Sequence, residues 1–214
     1  MDPRRATGAS FVILMLSWVT PSFGATCDSL VVGLDPADGN GFLSSLGERI
    51  VWGQVVDAPE LLLLSFAVWR PADVQASGRF YHLWISEVDS LGVPQPHDVV
   101  AEGPAISLPP GDGVAPTKYE FRFDPPLVLP HLGRYYFVIK ELHCDPGVYL
   151  LTSNHNPYPN GGVWRMTPNF ACAGLGCCQL PGNPDVDIIF EAHFCSTATL
   201  TERTSWGSVK RSHR

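Results

Sequence analysis

Residues 117–123, Thr-Lys-Tyr-Glu-Phe-Arg-Phe, constrain the fold more than any other stretch. Tyr119, Phe121 and Phe123 alternate with Lys118, Glu120 and Arg122, the period of two that a strand needs to bury one face and wet the other. Asp124-Pro125-Pro126 predicts the end of that strand, because proline cannot donate to a sheet ladder. After Leu127–Leu129 and the turn Pro130-His131-Leu132-Gly133, the run Arg134–Lys140 is apolar on both faces, which predicts a strand in the middle of a sandwich.

The remaining segments repeat this theme. Ile50–Val56, Leu61–Arg70, Phe80–Ser86, Val148–Thr152 and Gly162–Met166 all read as strands. Within Phe80–Ser86, His82 is read as a satisfied member of an aromatic neighbourhood. In Asp185–Phe194 the alternation predicts Val186, Ile188, Phe190, Ala192 and Phe194 on one face and Asp187, Ile189, Glu191 and His193 on the other. The Pro- and Gly-rich stretch 90–113 predicts a long surface connection across one end. No run of ten or more residues outside the amino-terminal segment has convincing helical periodicity. The fold class predicted is therefore all-β, an antiparallel jelly-roll-like sandwich.

Cysteines and the amino terminus bound the compartment. Arg4 and Arg5 precede the apolar run Phe11–Val19, and Ser22-Phe23-Gly24 supplies small residues, the plan of a secretory signal peptide over residues 1–24. That run is too short to cross a bilayer, and no later apolar segment approaches the roughly 20 residues a membrane helix needs, so no span is expected in the mature chain. The remaining 190 residues divide into one domain, 25–195, and a flexible basic tail, 196–214. Cys27, Cys144, Cys172, Cys177, Cys178 and Cys195 all lie beyond the signal, an even count that predicts disulfides. Cys27 and Cys195 bracket the domain and are expected to pair. Cys177 and Cys178 are adjacent, so Cys144 and Cys172 are each expected to take one of them. Zinc held by Cys144, Cys172, Cys177 and Cys178 with His143 is the competing use, but the spacing departs from paired ligand knuckles.

Charge narrows the partners. Residues 25–195 carry 8 Lys and Arg against 19 Asp and Glu, a net of −11, which argues against a nucleic acid. The cluster Asp35-Pro36-Ala37-Asp38-Gly39-Asn40-Gly41 is a turn that lacks the spacing of a calcium loop. No cofactor or metal site is expected.

Several segments together resemble a known group. Gln54 on an early strand, the tyrosine-rich Gly133-Arg134-Tyr135-Tyr136-Phe137-Val138-Ile139, the loop Tyr158-Pro159-Asn160-Gly161-Gly162 and the last strand Asp187-Ile188-Ile189-Phe190 resemble the secreted bacterial β-sandwich domains of the choice-of-anchor type, over roughly Ile50 to Phe194. The resemblance implies an exported surface protein, often with a C-terminal sorting tail. Residues 204–214 look similar to the short Trp-Gly and basic endings of other exported bacterial proteins, although no hydrophobic span precedes the basic end.

Three functions are weighed on residue chemistry. Sugars stack C–H faces on aromatic rings and take directed hydrogen bonds from Asn and His, and one hairpin offers Asn154, His155, Asn156, Tyr158 and Trp164. A secreted or cell-surface non-catalytic module binding an extracellular glycan is therefore the leading expectation. In the alternative use of that hairpin, Tyr158 and Trp164 only cap the sandwich, and Trp52, Trp69 and Trp84 lie in strand runs that favour the core. A structural surface or matrix protein acting through contacts with another surface protein is the second function. A glycoside hydrolase using Asp185, Asp187 and Glu191 on one strand face is the third. A serine or cysteine nucleophile is disfavoured, since no Gly-x-Ser-x-Gly elbow is present.

Overall fold

A computed structural model describes residues 27–44, 51–72, 80–108, 110–141, 148–155, 157–166, 179–181 and 185–196. They form thirteen strands: β1 Asp28–Gly33, β2 Gly41–Ser44, β3 Val51–Ala58, β4 Leu62–Arg70, β5 Phe80–Val88, β6 Pro94–Ser107, β7 Thr117–Val128, β8 Gly133–Glu141, β9 Tyr149–Ser153, β10 Gly162–Met166, β11 Gln179–Pro181, β12 Asp187–Ile188 and β13 Phe190–Ser196. The helical element among the described residues is a single 3₁₀ turn, Pro36–Asp38, in which Asp35 Oδ1 accepts from Ala37 N–H at 2.8 Å. None of their helices is long and apolar enough to cross a membrane.

The strands make two large antiparallel sheets, ordered β1-β13-β4-β7 and β11-β10-β3-β8-β5-β6, and a small one, β12-β9-β2. Taking β1, β3, β4, β5, β6, β7, β8 and β13 as eight principal strands, the sheets read first-eighth-third-sixth and second-seventh-fourth-fifth. That is a double Greek-key order of the jelly-roll kind. The two inner faces interlock through Phe66 and Val68 of β4, Phe121 of β7 and Phe190, Ala192 and Phe194 of β13, against Val56 of β3, Leu83 and Ile85 of β5 and Phe137 and Ile139 of β8. Phe66 stacks on Phe137 with centroids 4.4 Å apart, joining the sheets at the centre of the core. Burying a side chain of this size stabilises by about 1.5–3 kcal/mol.

Strand β8 lies between β3 and β5, and Tyr135–Ile139 are at most 1% exposed. The doubly apolar run is thus a central strand, as its composition predicts. Its outer face carries Tyr136 and Val138, packed with Val51 and Val55 and flanked by Trp84, Val88 and Trp164.

The disulfide Cys27–Cys195 is present, with Cα atoms 5.4 Å apart across a separation of 168 residues. It ties the start of β1 to the end of β13, which already pair from Asp28↔Ser196 to Gly33↔Glu191. Closing so long a loop contributes roughly 5 kcal/mol on the chain-entropy account. Cys144, Cys172, Cys177 and Cys178, the expected signal segment 1–24, residues 197–214 of the expected tail and Asn156 lie outside the described residues.

Three local expectations are corrected. Stretch 90–113 is not mainly connection: β6 takes up fourteen of its residues. This strand pairs with β5 alone, and at an edge Pro94, Pro96 and Pro104 do not interrupt a second ladder. Asp124-Pro125-Pro126 does not end β7. Against β4 the register jumps from Ser65↔Arg122 to Leu63↔Leu127, so the prolines occupy a bulge and pairing resumes beyond them. The alternation over 185–194 also breaks. At Ile189 the chain steps from the small sheet to the four-stranded one, and Asp187 through Phe190 are all buried.

Candidate functional site

Asp187, expected on a wet face, is 0% exposed and forms the centre of a buried polar clasp. Its Oδ1 accepts from Gln54 Nε2 at 2.8 Å, and its Oδ2 accepts from Tyr158 N–H at 3.0 Å. Gln54 Oε1 in turn accepts from Ile188 N–H at 3.0 Å. Burial pushes the Asp187 carboxyl above the ordinary carboxylate range, opposed by the hydrogen bonds from Gln54 and Tyr158. The Tyr158 hydroxyl closes the arrangement by accepting from Asp57 N–H at 3.0 Å, while its ring meets Phe190 edge-on at 5.1 Å. Gly161 lets this loop lie on β3, since a Cβ there would stand 2.0 Å from the Val55 carbonyl oxygen.

The predicted ligand-binding residues therefore divide. Tyr158 is half-buried and engaged through both ring and hydroxyl. Trp164 packs beside Tyr136 on the outer face of the six-stranded sheet, and its carbonyl accepts from the Tyr136 hydroxyl at 2.9 Å. Asn154 and His155 are exposed. Asn154 N–H donates to Asn40 Oδ1 at 2.9 Å, which sets this pair beside the 3₁₀ turn. Trp52 and Trp69 pack into apolar clusters, Trp84 lines one, and Trp84 Nε1 donates to His82 Nδ1 at 3.4 Å.

Beside the 3₁₀ turn lies an open cleft of about 340 Å³, lined by Val31, Gly33, Leu34, Asp35, Pro36 and Glu191. Gly33 forms part of its floor because β1 runs close against β13: a Cβ there would stand 2.5 Å from the Phe190 carbonyl oxygen. From the cleft a polar row crosses the outer face of the four-stranded sheet. Lys118 Nζ donates to Glu191 Oε1 at 2.5 Å, His193 Nε2 meets the same oxygen at 2.5 Å, and Ser29 Oγ meets His193 Nδ1 at 3.3 Å. Partial burial works to raise the Glu191 carboxyl, but the hydrogen bonds from Lys118 and His193 and the Lys118 charge outweigh it and hold it below the ordinary value. Both partners contact Oε1, so Oε2 is taken by neither.

Asp187 and Glu191 thus do not share a water-facing surface. One is sealed in the clasp and the other lies at the cleft. Sequence reasoning placed Glu191 on an outer face but gave no sign of the cleft, whose remaining lining comes from residues 31–36, read as turn or left without a role. The only local signal was the Asp35-Pro36 start of the turn.

Fold and site together define a disulfide-closed antiparallel jelly-roll sandwich with a polar cleft at the junction of its first and last strands. No family model matches the chain, and neither a curated protein nor a solved structure matches it.

Proposed function

We propose that the chain is a secreted or cell-surface, non-catalytic binding module of the choice-of-anchor kind, with a carbohydrate as the ligand of the cleft beside the 3₁₀ turn. The observation carrying this reading is the make-up of the lining. Val31, Leu34 and Pro36 offer apolar contact, while Asp35 and Glu191 offer carboxylate oxygens to vicinal hydroxyls. A sugar ring presents this alternation of C–H face and hydroxyl edge, and a cleft of about 340 Å³ suits one or two rings. Exposed Asn40 follows the turn closely in the chain and accepts from Asn154 N–H, next to exposed His155, and these polar groups are the ones a longer glycan would be tested against. The Cys27–Cys195 bond supports an oxidising compartment.

The test is a glycan array probed with the oxidised chain, followed by Glu191→Gln. Retention of one sugar class, weakened at least about tenfold by Glu191→Gln with an unchanged melting curve, is expected, since a charged hydrogen bond contributes about 1.5–3 kcal/mol. A blank array sinks the carbohydrate reading. The surface or matrix role through protein contacts would then lead, favoured by edge strand β1, where Leu30 and Val31 are 42% and 51% exposed.

A further inference from the structure

A chain of polar contacts runs from the cleft to the edge of the four-stranded sheet. In the β1–β13 ladder Gly33 lies opposite Glu191, Val31 opposite His193 and Ser29 opposite Cys195. Ser29, Val31 and Gly33 share one face of β1 by the period of two. Ser29 is exposed and stands two residues, about 7 Å, along the strand from cleft-lining Val31. The ring nitrogens of His193 have different neighbours: Nε2 meets Glu191 Oε1 at 2.5 Å, and Nδ1 meets Ser29 Oγ at 3.3 Å.

Counting protons assigns the roles. An ionised carboxylate only accepts, so Nε2 carries a hydrogen in every state of the ring that keeps its contact with Glu191. The neutral ring has a single N–H, hence its Nδ1 is bare and accepts the Ser29 O–H. Ser29 then turns only lone pairs outward. The cationic ring carries hydrogens on both nitrogens, and Nδ1–H donates to Ser29 Oγ. The hydroxyl hydrogen must now point away from the ring, into the space over the sheet. One proton gained at Nδ1 therefore reverses the hydrogen bonding that Ser29 offers to a ligand.

The neighbouring elements leave histidine as the group that changes. Ser65 of β4 lies opposite His193, and beyond it Arg122 of β7 donates from Nε to Glu120 Oε2 at 2.7 Å. Lys118 of β7 shares Glu191 Oε1. Asp28 opens β1, and Asp35 and Asp38 belong to the 3₁₀ turn and its cap. Against partial burial, the hydrogen bonds from Lys118 and His193 hold the Glu191 carboxyl below its ordinary value, so it stays ionised near neutrality. Of these side-chain types, histidine is the one that ordinarily changes charge between about pH 5 and pH 8. The cleft itself offers acceptors, the carboxylates of Asp35 and Glu191. A ligand hydroxyl that gives its hydrogen to a carboxylate keeps lone pairs that a nearby donor can fill, and only the cationic ring makes Ser29 such a donor.

We propose that His193 is a proton relay on the binding face, turning the Ser29 hydroxyl from acceptor to donor in acid and so tightening the hold on a hydroxyl-bearing ligand that reaches past Val31. The ligand half of this inference rests on the carbohydrate reading, and the relay does not. The test is long-range proton–nitrogen NMR of the isotope-labelled, oxidised chain between about pH 8 and pH 5, with the ring assigned by its loss in His193→Gln. At the alkaline end Nε2 should carry the hydrogen and Nδ1 none. Toward the acid end the Ser29 amide and Cβ signals should move with the midpoint of the ring. A hydrogen on Nδ1 of the neutral ring overturns the proposal, and so do Ser29 signals that ignore the ring's titration. A sugar retained on the array should bind wild type roughly fivefold more tightly at the acid end, the worth of one hydrogen bond, and should bind Ser29→Ala equally at both ends. Ser29 is exposed, so this variant should keep the wild-type melting curve. Equal wild-type affinity at both ends, or tighter acid binding that persists in Ser29→Ala, overturns the proposal as well. A blank array removes the carbohydrate reading alone, and the spectra then decide the relay.

Discussion

Replacing Gln54 with alanine should be among the most damaging single changes outside the apolar core. Gln54 is 1% exposed, and its amide makes two bonds that nothing nearby replaces: Nε2 donates to Asp187 Oδ1, and Oε1 accepts from Ile188 N–H. Alanine would leave a buried carboxylate short of a donor and a buried peptide N–H without an acceptor. Each loss costs about 1–3 kcal/mol, with the charged group toward the upper end, so a total near 4 kcal/mol is expected. That is a large share of the roughly 5–15 kcal/mol by which a domain is stable. Urea denaturation of the oxidised chain should show the midpoint falling at constant slope. A loss below about 1 kcal/mol would refute the reasoning, because the clasp would then have to be hydrated in the native state. Gln54→Glu gives an independent reading of the same group. It sets a second carboxyl against Asp187, so its stability deficit should be smaller in acid, where the pair can share a proton, and grow toward neutral pH.

Other expectations follow from single contacts. Asp187 has its folded carboxyl raised by burial, so the stability it contributes is full below its unfolded value and is lost as pH rises through the folded one. Wild type should therefore lose stability relative to Asp187→Asn between about pH 4 and neutrality, measured by thermal melts across that range; a difference independent of pH would rule this out. Cys27→Ser with Cys195→Ser should lower the melting temperature by roughly 10–20 °C, the thermal counterpart of about 5 kcal/mol for a domain of this size. Tyr158→Phe removes the acceptor for Asp57 N–H but keeps the contact with Phe190, so chemical denaturation should register a cost near 1 kcal/mol. Lys118→Ala breaks a partly exposed ion pair with Glu191 and should change stability by less than about 1 kcal/mol, an effect that shrinks in high salt.

How far such features can be read from residues alone depends on whether their cause is local. Alternation in Thr117–Phe123 and the doubly apolar Arg134–Lys140 identify a strand with one buried face and a central strand, because periodicity reports burial directly. The pairing of Cys27 with Cys195 follows from their bracketing of the domain. Proline misleads in two places for one reason: its effect depends on whether the ladder needs that N–H, and neither an edge nor a bulge does. The face of Asp187 was illegible because its partners, Gln54 and Tyr158, lie 133 and 29 residues away, and no period links them.

The same non-local clasp explains why the aromatic loop was visible while its use was not. Tyr158 and Trp164 have the composition of a sugar platform, yet each is held by a contact outside its hairpin, with Asp57 and Phe190 or with Tyr136. The clasp joins that loop to the segment that becomes β13, and β13 carries Glu191 to the cleft. Stability and the proposed recognition are therefore coupled in one direction. Breaking the clasp at Gln54 or Asp187 should loosen both the loop beside Asn154 and the strand that presents Glu191, whereas Glu191→Gln removes only the ligand contacts proposed for that sheet face and leaves the clasp intact. A weakened ligand affinity in Gln54→Ala that recovers when the protein is cooled well below its lowered melting temperature would mark an indirect effect, and the loss in Glu191→Gln should persist at every temperature.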